Sequence, residues 1–319
     1  MKKIRWGIAG PGIIARKFAE AVKNTDCAEI VAVASKTAGK AEKFADEFGI
    51  EKYYDSYEKM ASDPELDAVY ISTAHPFHLP CAEVFIKGGK HILCEKPMCV
   101  NADDAKKLKA MANAKGVFLM EAMWSAFLPA VRAAFEDVKQ GIIGKPMGLN
   151  ADFCYSIEVD EDPKLFEKSL CGGSLLDVGV YCLWFAYTLF GQPKEISAYS
   201  DMSGGVDLHT QALLKYDGGV IASVSSAIKL EKPFDAYIYG EKGRIYLPSF
   251  YKADRYTVYY NDGRSEEKQY PYGDNGFEFE IQEACRCINE GKTESDIHPL
   301  SDTVSVLKMS DTIRKITLS

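Results

Sequence analysis

Three stretches of the chain carry residue types that can do chemistry at spacings that let them act together. The first is Gly7-Ile8-Ala9-Gly10-Pro11-Gly12-Ile13-Ile14-Ala15. A dinucleotide site needs glycine at its turn, glycine where the backbone approaches the pyrophosphate, and a small residue where helix meets strand. Gly10, Gly12 and Ala15 fill those places, and the pyrophosphate would rest on free N–H groups at the helix N-terminus. The alternative is a plain glycine-rich turn; the position between an apolar run and a helical pattern at the N-terminus favours the nucleotide. An acidic residue about 20 positions further on would accept from the ribose 2′-hydroxyl and select NAD. Here the second strand ends Ala34-Ser35-Lys36-Thr37, with no carboxylate. Ser35 can donate to a 2′-phosphate and Lys36 can neutralise it, so NADP is expected, with NAD still compatible.

The second stretch is Cys94-Glu95-Lys96-Pro97, at the carboxyl end of a strand, where open α/β sheets place their chemistry. A proline after the lysine can fix a turn that aims the preceding side chain. The plainer reading is a solvated Glu-Lys pair. The third is Gly172-Gly173-Ser174-Leu175-Leu176-Asp177-Val178-Gly179-Val180-Tyr181, a loop entering a helix. Asp177 and Tyr181 stand four apart and share one face. From spacing alone, a first-turn aspartate beside a half-buried tyrosine outweighs a site. His75-Pro76-Phe77-His78 follows the third strand; Pro76 disfavours a helical zinc pair and no further ligand is evident, so no metal is expected. His78 facing cofactor or substrate is the better reading. Trp124 and Phe127 are core residues or an aromatic wall.

These residues need elements to position them. The first ~120 residues alternate apolar β-branched runs (Ile4–Ala9, Ile30–Ser35, Ala68–Ser72, His91–Cys94, Val117–Met120) with helical patterns (13–24, 38–48, 79–87, 102–114). Continuous apolar strands separated by helices predict a parallel sheet covered on both faces. After about Glu121 the rhythm changes. A helix near 129–140 leads into Met147–Tyr155, and from Lys194 onward strand-like segments alternate with Asp217-Gly218-Gly219, Glu241-Lys242-Gly243 and Asn261-Asp262-Gly263. Turns of that kind predict an antiparallel meander. Helical patterns return near 277–289 and 302–316. The expected fold is α/β: a doubly wound parallel sheet over 1–121 and an α+β domain over 122–319, its last helix packing back on the first domain.

The chain has 319 residues, 38 Lys+Arg against 46 Asp+Glu, a net charge of −8, and 47% hydrophobic content. Those proportions exclude disorder and coiled coil as the main architecture. The acidic balance argues against a nucleic-acid or anionic-membrane partner. Nine cysteines, an odd number, show no zinc or disulfide spacing, and no Asn-X-Ser/Thr sequon occurs. The apolar start is broken by Gly7, Gly10, Pro11 and Gly12 and then by Arg16-Lys17, unlike an export leader. The longest uncharged run, Val178–Pro193, falls short of the ~20 residues that span a bilayer. The expectation is a cytoplasmic, reduced, soluble protein.

Taken together, Gly10-x-Gly12-x-x-Ala15, Glu95-Lys96-Pro97 and Gly172-Gly173 through Asp177-x-Gly179-x-Tyr181 resemble the Gfo/Idh/MocA oxidoreductase family over nearly the whole chain. Tyr181, where many members carry histidine, is similar to the branch of glucose-fructose oxidoreductase, NADP-dependent xylose dehydrogenases and dimeric dihydrodiol dehydrogenase. Arg5-Trp6-Gly7-Ile8, Ala34-Ser35-Lys36 and Glu121-Ala122-Met123-Trp124 are similar to that branch too. The resemblance implies a Rossmann domain followed by an open, mainly antiparallel sheet whose exposed face pairs subunits as homodimers. It implies Lys96 and Tyr181 as the catalytic pair with Asp177, and His78, Trp124, Phe153, Asp177 and Tyr181 against the substrate. The expected cofactor set is Gly10, Gly12, Ile13, Ile14, Ser35, Lys36, Thr73, His75, His78, Glu95, Lys96 and Pro97. The activity implied is hydride transfer between NADP(H) and an alcohol or hemiacetal carbon of a sugar, cyclitol or dihydrodiol. A phenol with a free pKa near ~10 is a poor base at neutral pH unless an ammonium such as Lys96 stabilises the phenolate. The competing reading is a non-catalytic NADP-binding sensor or regulator on the same fold.

Overall fold

A computed structural model describes residues 2–273 and 275–318. The chain divides into two compact units, one made of Met1–Cys99, Asp103–Met123 and Gly273–Thr303, the other of Val100–Ala102, Trp124–Tyr272 and Val304–Ser319.

The first unit is built on six parallel strands: β1 (Ile4–Ala9), β2 (Ala28–Ala34), β3 (Lys52–Tyr54), β4 (Ala68–Ile71), β5 (His91–Glu95) and β6 (Leu119–Ala122). Their order is β3-β2-β1-β4-β5-β6, so the winding reverses between β1 and β4. Ligands of open α/β sheets bind at such a reversal, outside the carboxyl ends of the strands. The helices are α1 (Ile13–Lys23), α2 (Lys40–Phe48), α3 (Tyr57–Ala61), α4 (His78–Lys87), α5 (Ala102–Lys115) and, after the return at Gly273, α8 (Glu278–Asn289). Trp6, Ile8, Val69, Tyr70, Ile92 and Leu93 are fully buried, as strands covered on both faces require. The doubly wound sheet read from the sequence is present. Two elements were not anticipated: β3, three residues paired to β2, and α3, capped by the Ser56 side chain. Both are too short to show a period.

The second unit contains α6 (Pro129–Lys139), α7 (Val180–Phe190) and eight strands: β7 (Pro146–Cys154), β8 (Glu195–Asp201), β9 (His209–Lys215), β10 (Ile221–Ala227), β11 (Ala236–Gly240), β12 (Gly243–Leu247), β13 (Arg255–Tyr260) and β14 (Ser265–Gln269). Their order is β14-β13-β12-β11-β7-β10-β9-β8. The three predicted turns join β9 to β10, β11 to β12 and β13 to β14. The sheet is not a pure meander, however. β7, laid down earlier in the chain, inserts between β10 and β11 and runs parallel to β10. The register separates two faces. Ile196, Leu214, Ala222, Leu149, Ile238, Ile245 and Val258 form one row, and its members from Leu214 to Val258 are buried. Ser197, Leu213, Ser223, Asn150, Tyr237, Tyr246 and Thr257 form the opposite row.

The stretch Lys168–Phe190 is long and apolar enough to cross a membrane by composition, yet most of it is buried. It is apolar on all sides because α7 is a core helix of its unit.

The last helix of the chain, α9, covers Leu300–Thr317.

Candidate active site

In the first unit Gly10 and Thr73 lie at the winding reversal between β1 and β4. Gly10 follows β1 with φ of +89°, and its N–H donates to the Ala34 carbonyl at 3.1 Å. The Ser72 hydroxyl, just past β4, donates to the Gly10 carbonyl at 3.0 Å. A Cβ on Gly10 would meet the Thr73 backbone N and Cγ2 at 2.9 Å, so only glycine takes this turn without strain. Gly12 caps α1; a Cβ there would meet nothing nearer than 3.9 Å, and no side chain caps the helix. Its first N–H groups are therefore left for an anion, with no acid in the first turn to repel one. Ile13, first in the helix, is 81% exposed, and Ile14 follows it. The Thr73 hydroxyl, buried beside Gly10, has no hydrogen-bond partner. An open cradle at Gly12, an uncapped helix and an orphaned buried hydroxyl fit a dinucleotide.

At the end of β2, Ser35 is buried and its hydroxyl accepts from the Thr37 N–H at 3.1 Å. Lys36 is exposed, and its ammonium lies 5.3 Å from the centre of the Tyr57 ring of α3. The unpredicted α3 thus steadies the cation assigned to the 2′-phosphate.

The Glu95-Lys96-Pro97 turn is held from three sides. Lys96 joins Pro97 through a cis peptide bond. Glu95 accepts from the Tyr70 hydroxyl and, at 3.3 Å, from the Lys96 N–H. Burial pushes the Glu95 carboxyl up, against the pull of Tyr70 and Lys96. His78, buried at the start of α4, sets Nδ1 2.9 Å from the Pro97 carbonyl and Nε2 2.8 Å from the Thr73 carbonyl. Burial lowers the imidazole pKa; a neutral ring has one N–H, so it donates to one carbonyl at a time. His78, expected to face cofactor or substrate, thus turns both ring nitrogens to main-chain carbonyls and links the nucleotide loop to the lysine turn. His75 packs edge-on to it, ring centres 5.9 Å apart.

The third support was not read from the sequence. Glu121, at the end of β6, accepts the Met98 N–H at 2.8 Å. His298 Nε2 lies 3.0 Å from its other oxygen, and the Thr303 hydroxyl donates to that oxygen at 2.8 Å. Burial alone would raise this carboxyl, but the three partners hold it below its ordinary range. Among the described residues no group of three or more His, Cys, Asp or Glu side chains is placed to hold a metal.

The second unit assembles the other set. The chain enters α7 through a π-turn, Leu175–Gly179, a form that recurs at functional sites. Asp207 anchors the entry by accepting from the Ser174 hydroxyl (2.8 Å), the Leu175 N–H (2.7 Å) and the Thr210 hydroxyl (3.0 Å). A Cβ on Gly173, with φ of +111°, would fall 2.1 Å from Asp207 Oδ1, which explains the second glycine of the motif. Asp177 lies in the π-turn and Tyr181 in the first turn of α7, where it is 5% exposed. Phe153 of β7 packs 5.5 Å from the Tyr181 ring and stacks on Tyr251 at 4.3 Å. Phe234 joins at 5.4 Å from Phe153, and Trp124 meets Tyr251 edge-on at 5.8 Å. The Ser125 hydroxyl ties the Trp124 segment to the Tyr251 carbonyl at 2.8 Å. Tyr181, Phe153 and Trp124 are thus brought into one aromatic cluster, and Asp177 joins it by accepting from the hydroxyl of Tyr155, whose ring lies beside Phe153. Phe127 is core. Tyr251, Phe234 and Tyr155 had no signal beyond being aromatic, except that Tyr155 stands two residues after Phe153 at the end of the expected strand 147–155.

A glycine cradle at the reversal of a parallel sheet, with a lysine turn at the next strand end, defines a dinucleotide-binding oxidoreductase domain. Models of the oxidoreductase family with NAD-binding Rossmann fold and of the GFO/IDH/MocA C-terminal domain match residues 4–123 and 131–246. The chain belongs to the GFO/IDH/MocA oxidoreductase family. It is 35% identical over 98% of its length to a mouse trans-1,2-dihydrobenzene-1,2-diol dehydrogenase, covering 96% of that protein, and 32% identical to the human one over the same shares. Among solved structures, aldose-aldose oxidoreductase from Caulobacter crescentus, complexed with glycerol, aligns with a TM-score of 0.90 at 24% identity. A 3-ketoreductase from Actinomadura kijaniata, in complex with NADP and TDP-benzene, aligns at 0.89 and 23%. In both cases 99% of this chain and 98% of the other are covered. The chain is an enzyme, a nicotinamide-dependent oxidoreductase.

Proposed function

We propose that the enzyme transfers hydride between NADP(H) and a ring carbon bearing a secondary alcohol or hemiacetal hydroxyl, in a sugar, cyclitol or dihydrodiol. The observation that carries this reading is the cluster in which the phenol of Tyr181 and the carboxylate of Asp177 stand among flat aromatic faces. Phenol and carboxylate take hydroxyls, and the rings take the apolar face of a cyclic substrate. Its relatives named trans-1,2-dihydrobenzene-1,2-diol dehydrogenase support a ring-borne diol.

Bound NADP supplies the hydride acceptor. Gly12, Ile13 and Ile14 would receive its pyrophosphate on backbone N–H groups, Ser35 and Lys36 would take its 2′-phosphate, and Thr73 would meet it beside Gly10. Lys96, held in its turn by Glu95, Pro97 and the Met98–Glu121 bond, supplies an ammonium for the oxyanion that develops in reduction. Tyr181 takes the hydroxyl proton as hydride leaves and returns one in reduction. Asp177 orients the substrate hydroxyls, and Trp124 and Phe153 wall the ring. His78 acts from beside the lysine turn, and His75 from beside His78.

The exposed sheet face supports a homodimer. It carries Tyr199 at 84%, Ile221 at 52% and Leu213 at 49% exposure, with Tyr237 stacked on Tyr246 at 4.7 Å and Arg244 4.4 Å from the Tyr259 ring centre. An apolar and aromatic face of this kind suits a second copy of itself. Seven of the nine cysteines are buried, and cysteines kept inside a fold suit a reducing cytoplasm.

The test follows NADPH formation from NADP⁺ with trans-1,2-dihydrobenzene-1,2-diol, D-xylose and myo-inositol, with NAD⁺ in parallel. Turnover of one or more, faster with NADP⁺, is expected. Silence on all three, with NADPH bound tightly, contradicts it.

A further inference from the structure

Asp177 does not stand alone in the second unit. The Tyr155 hydroxyl donates to Asp177 Oδ2 at 2.8 Å. Tyr155 is the residue after the end of β7, and its N–H donates to the Ala227 carbonyl at 3.0 Å, so the strand pairing fixes its backbone. Its ring centre lies 6.3 Å from that of Phe153, two residues before it. Phe153 in turn packs against Tyr181.

The geometry is a two-point match. Residues two apart on a strand project to the same face about 6.6 Å apart. Asp177 in the π-turn and Tyr181 in the first turn of α7 both face this strand end, as the Tyr155–Asp177 bond and the Phe153–Tyr181 ring contact show. The strand end therefore meets the helix entry at both places: Phe153 under Tyr181, and Tyr155 under Asp177. A phenol bonded to one carboxylate oxygen stops the carboxylate from turning about its last side-chain bond, which is otherwise a broad torsion.

We infer that Tyr155 is a positioning residue that acts through Asp177, holding its carboxylate so that the hydroxyl next to the reacting one is received and compounds lacking it are discriminated against. The inference rests on the function proposed above. Tyr155 is itself no candidate for the base. Burial and the neighbouring Asp177 charge push its phenol well above the ordinary tyrosine range, so it stays a donor. This separates the two tyrosines: one is pinned as a donor to a carboxylate, the other faces the aromatic cluster.

The test is a double-mutant cycle on the full-length enzyme, with trans-cyclohexane-1,2-diol and cyclohexanol as probes and NADP⁺ as acceptor. A hydrogen bond to a charged acceptor is worth about ten-fold or somewhat more in binding. Tyr155→Phe keeps the ring and is expected to cut the diol-over-alcohol ratio of kcat/KM about ten-fold, through KM, with kcat and NADPH binding little changed. Asp177→Asn is expected to remove the preference, and Tyr155→Phe to add nothing in that background, as coupled residues behave. Unchanged thermal unfolding checks that Tyr155→Phe remains folded. A wild-type ratio in Tyr155→Phe beside a collapsed one in Asp177→Asn overturns the inference and leaves the proposed function standing, as do effects that simply add. An unchanged ratio in both variants, or no diol oxidation by the unmodified enzyme, overturns the inference together with the role given to Asp177.

Discussion

The nucleotide end of the first unit and the aromatic end of the second are built by opposite means. At the first, backbone does the work: Gly10 turns at φ of +89°, Gly12 leaves an open cradle, and the α1 amides point outward uncapped. At the second, side chains do it. Phe153, Tyr181, Phe234, Tyr251 and Trp124 come from a strand, a helix, a loop and two short helical turns, and hold one another by ring packing. A backbone site tolerates few residue types at few positions. A packed aromatic site depends on total shape, with several residues sharing each contact.

The contrast can be broken by exchanging the kinds of damage. The largest effect is expected from Phe153→Ala, which removes a ring packed near those of Tyr155, Tyr181, Phe234, Phe250 and Tyr251. A loss of about 3–5 kcal/mol in denaturant unfolding is expected, with NADPH binding by the folded protein retained. Gly10→Ala should do the reverse. The strained turn costs about 1–3 kcal/mol, and the displaced loop loses most of its NADPH affinity, read by fluorescence titration. If Gly10→Ala binds NADPH normally, the backbone account of the first site is wrong.

How much of this was legible follows from the same contrast. Gly10, Gly12 and Ala15 could be assigned because a turn, a phosphate approach and a helix–strand contact each exclude other residue types. Lys96 could be placed at a strand end, but the Glu121–His298–Thr303 support could not, since its members lie far apart in the sequence. Asp177 and Tyr181 were ambiguous from spacing, and only the resemblance singled them out. Tyr251 and Phe234 look like ordinary core residues, because aromatic packing leaves no periodic trace across distant segments. The doubly wound sheet was readable from continuous apolar strands. The place of β7 was not, because a turn signal tells which strands follow one another and not which strand is inserted between them.

A smaller prediction sharpens the account of the first unit. Glu280 of α8 is fully buried, and neither carboxyl oxygen has a hydrogen-bond partner. Burial, reinforced by the Glu95 charge, pushes its pKa well above the ordinary value, so the fold holds it neutral. Unfolded, it ionises above about pH 4.3. Its contribution to stability is therefore present at low pH and is lost as pH rises toward the folded pKa. Glu280→Gln removes that titration, so its stability relative to wild type should increase with pH above about 4.3, read by urea unfolding between pH 4 and pH 8. Parallel curves across that range would show Glu280 to be charged in the fold.

The central claim is that Lys96 serves the chemistry and leaves cofactor binding largely to the glycine cradle. Its most direct test measures NADPH affinity and turnover together in Lys96→Ala, using whichever diol or aldose the wild type oxidises. The expected result is a fall in kcat of about three orders of magnitude or more, with the NADPH Kd changed by only a few-fold. Near-normal kcat, or a loss of activity matched by a loss of NADPH binding, would contradict the account.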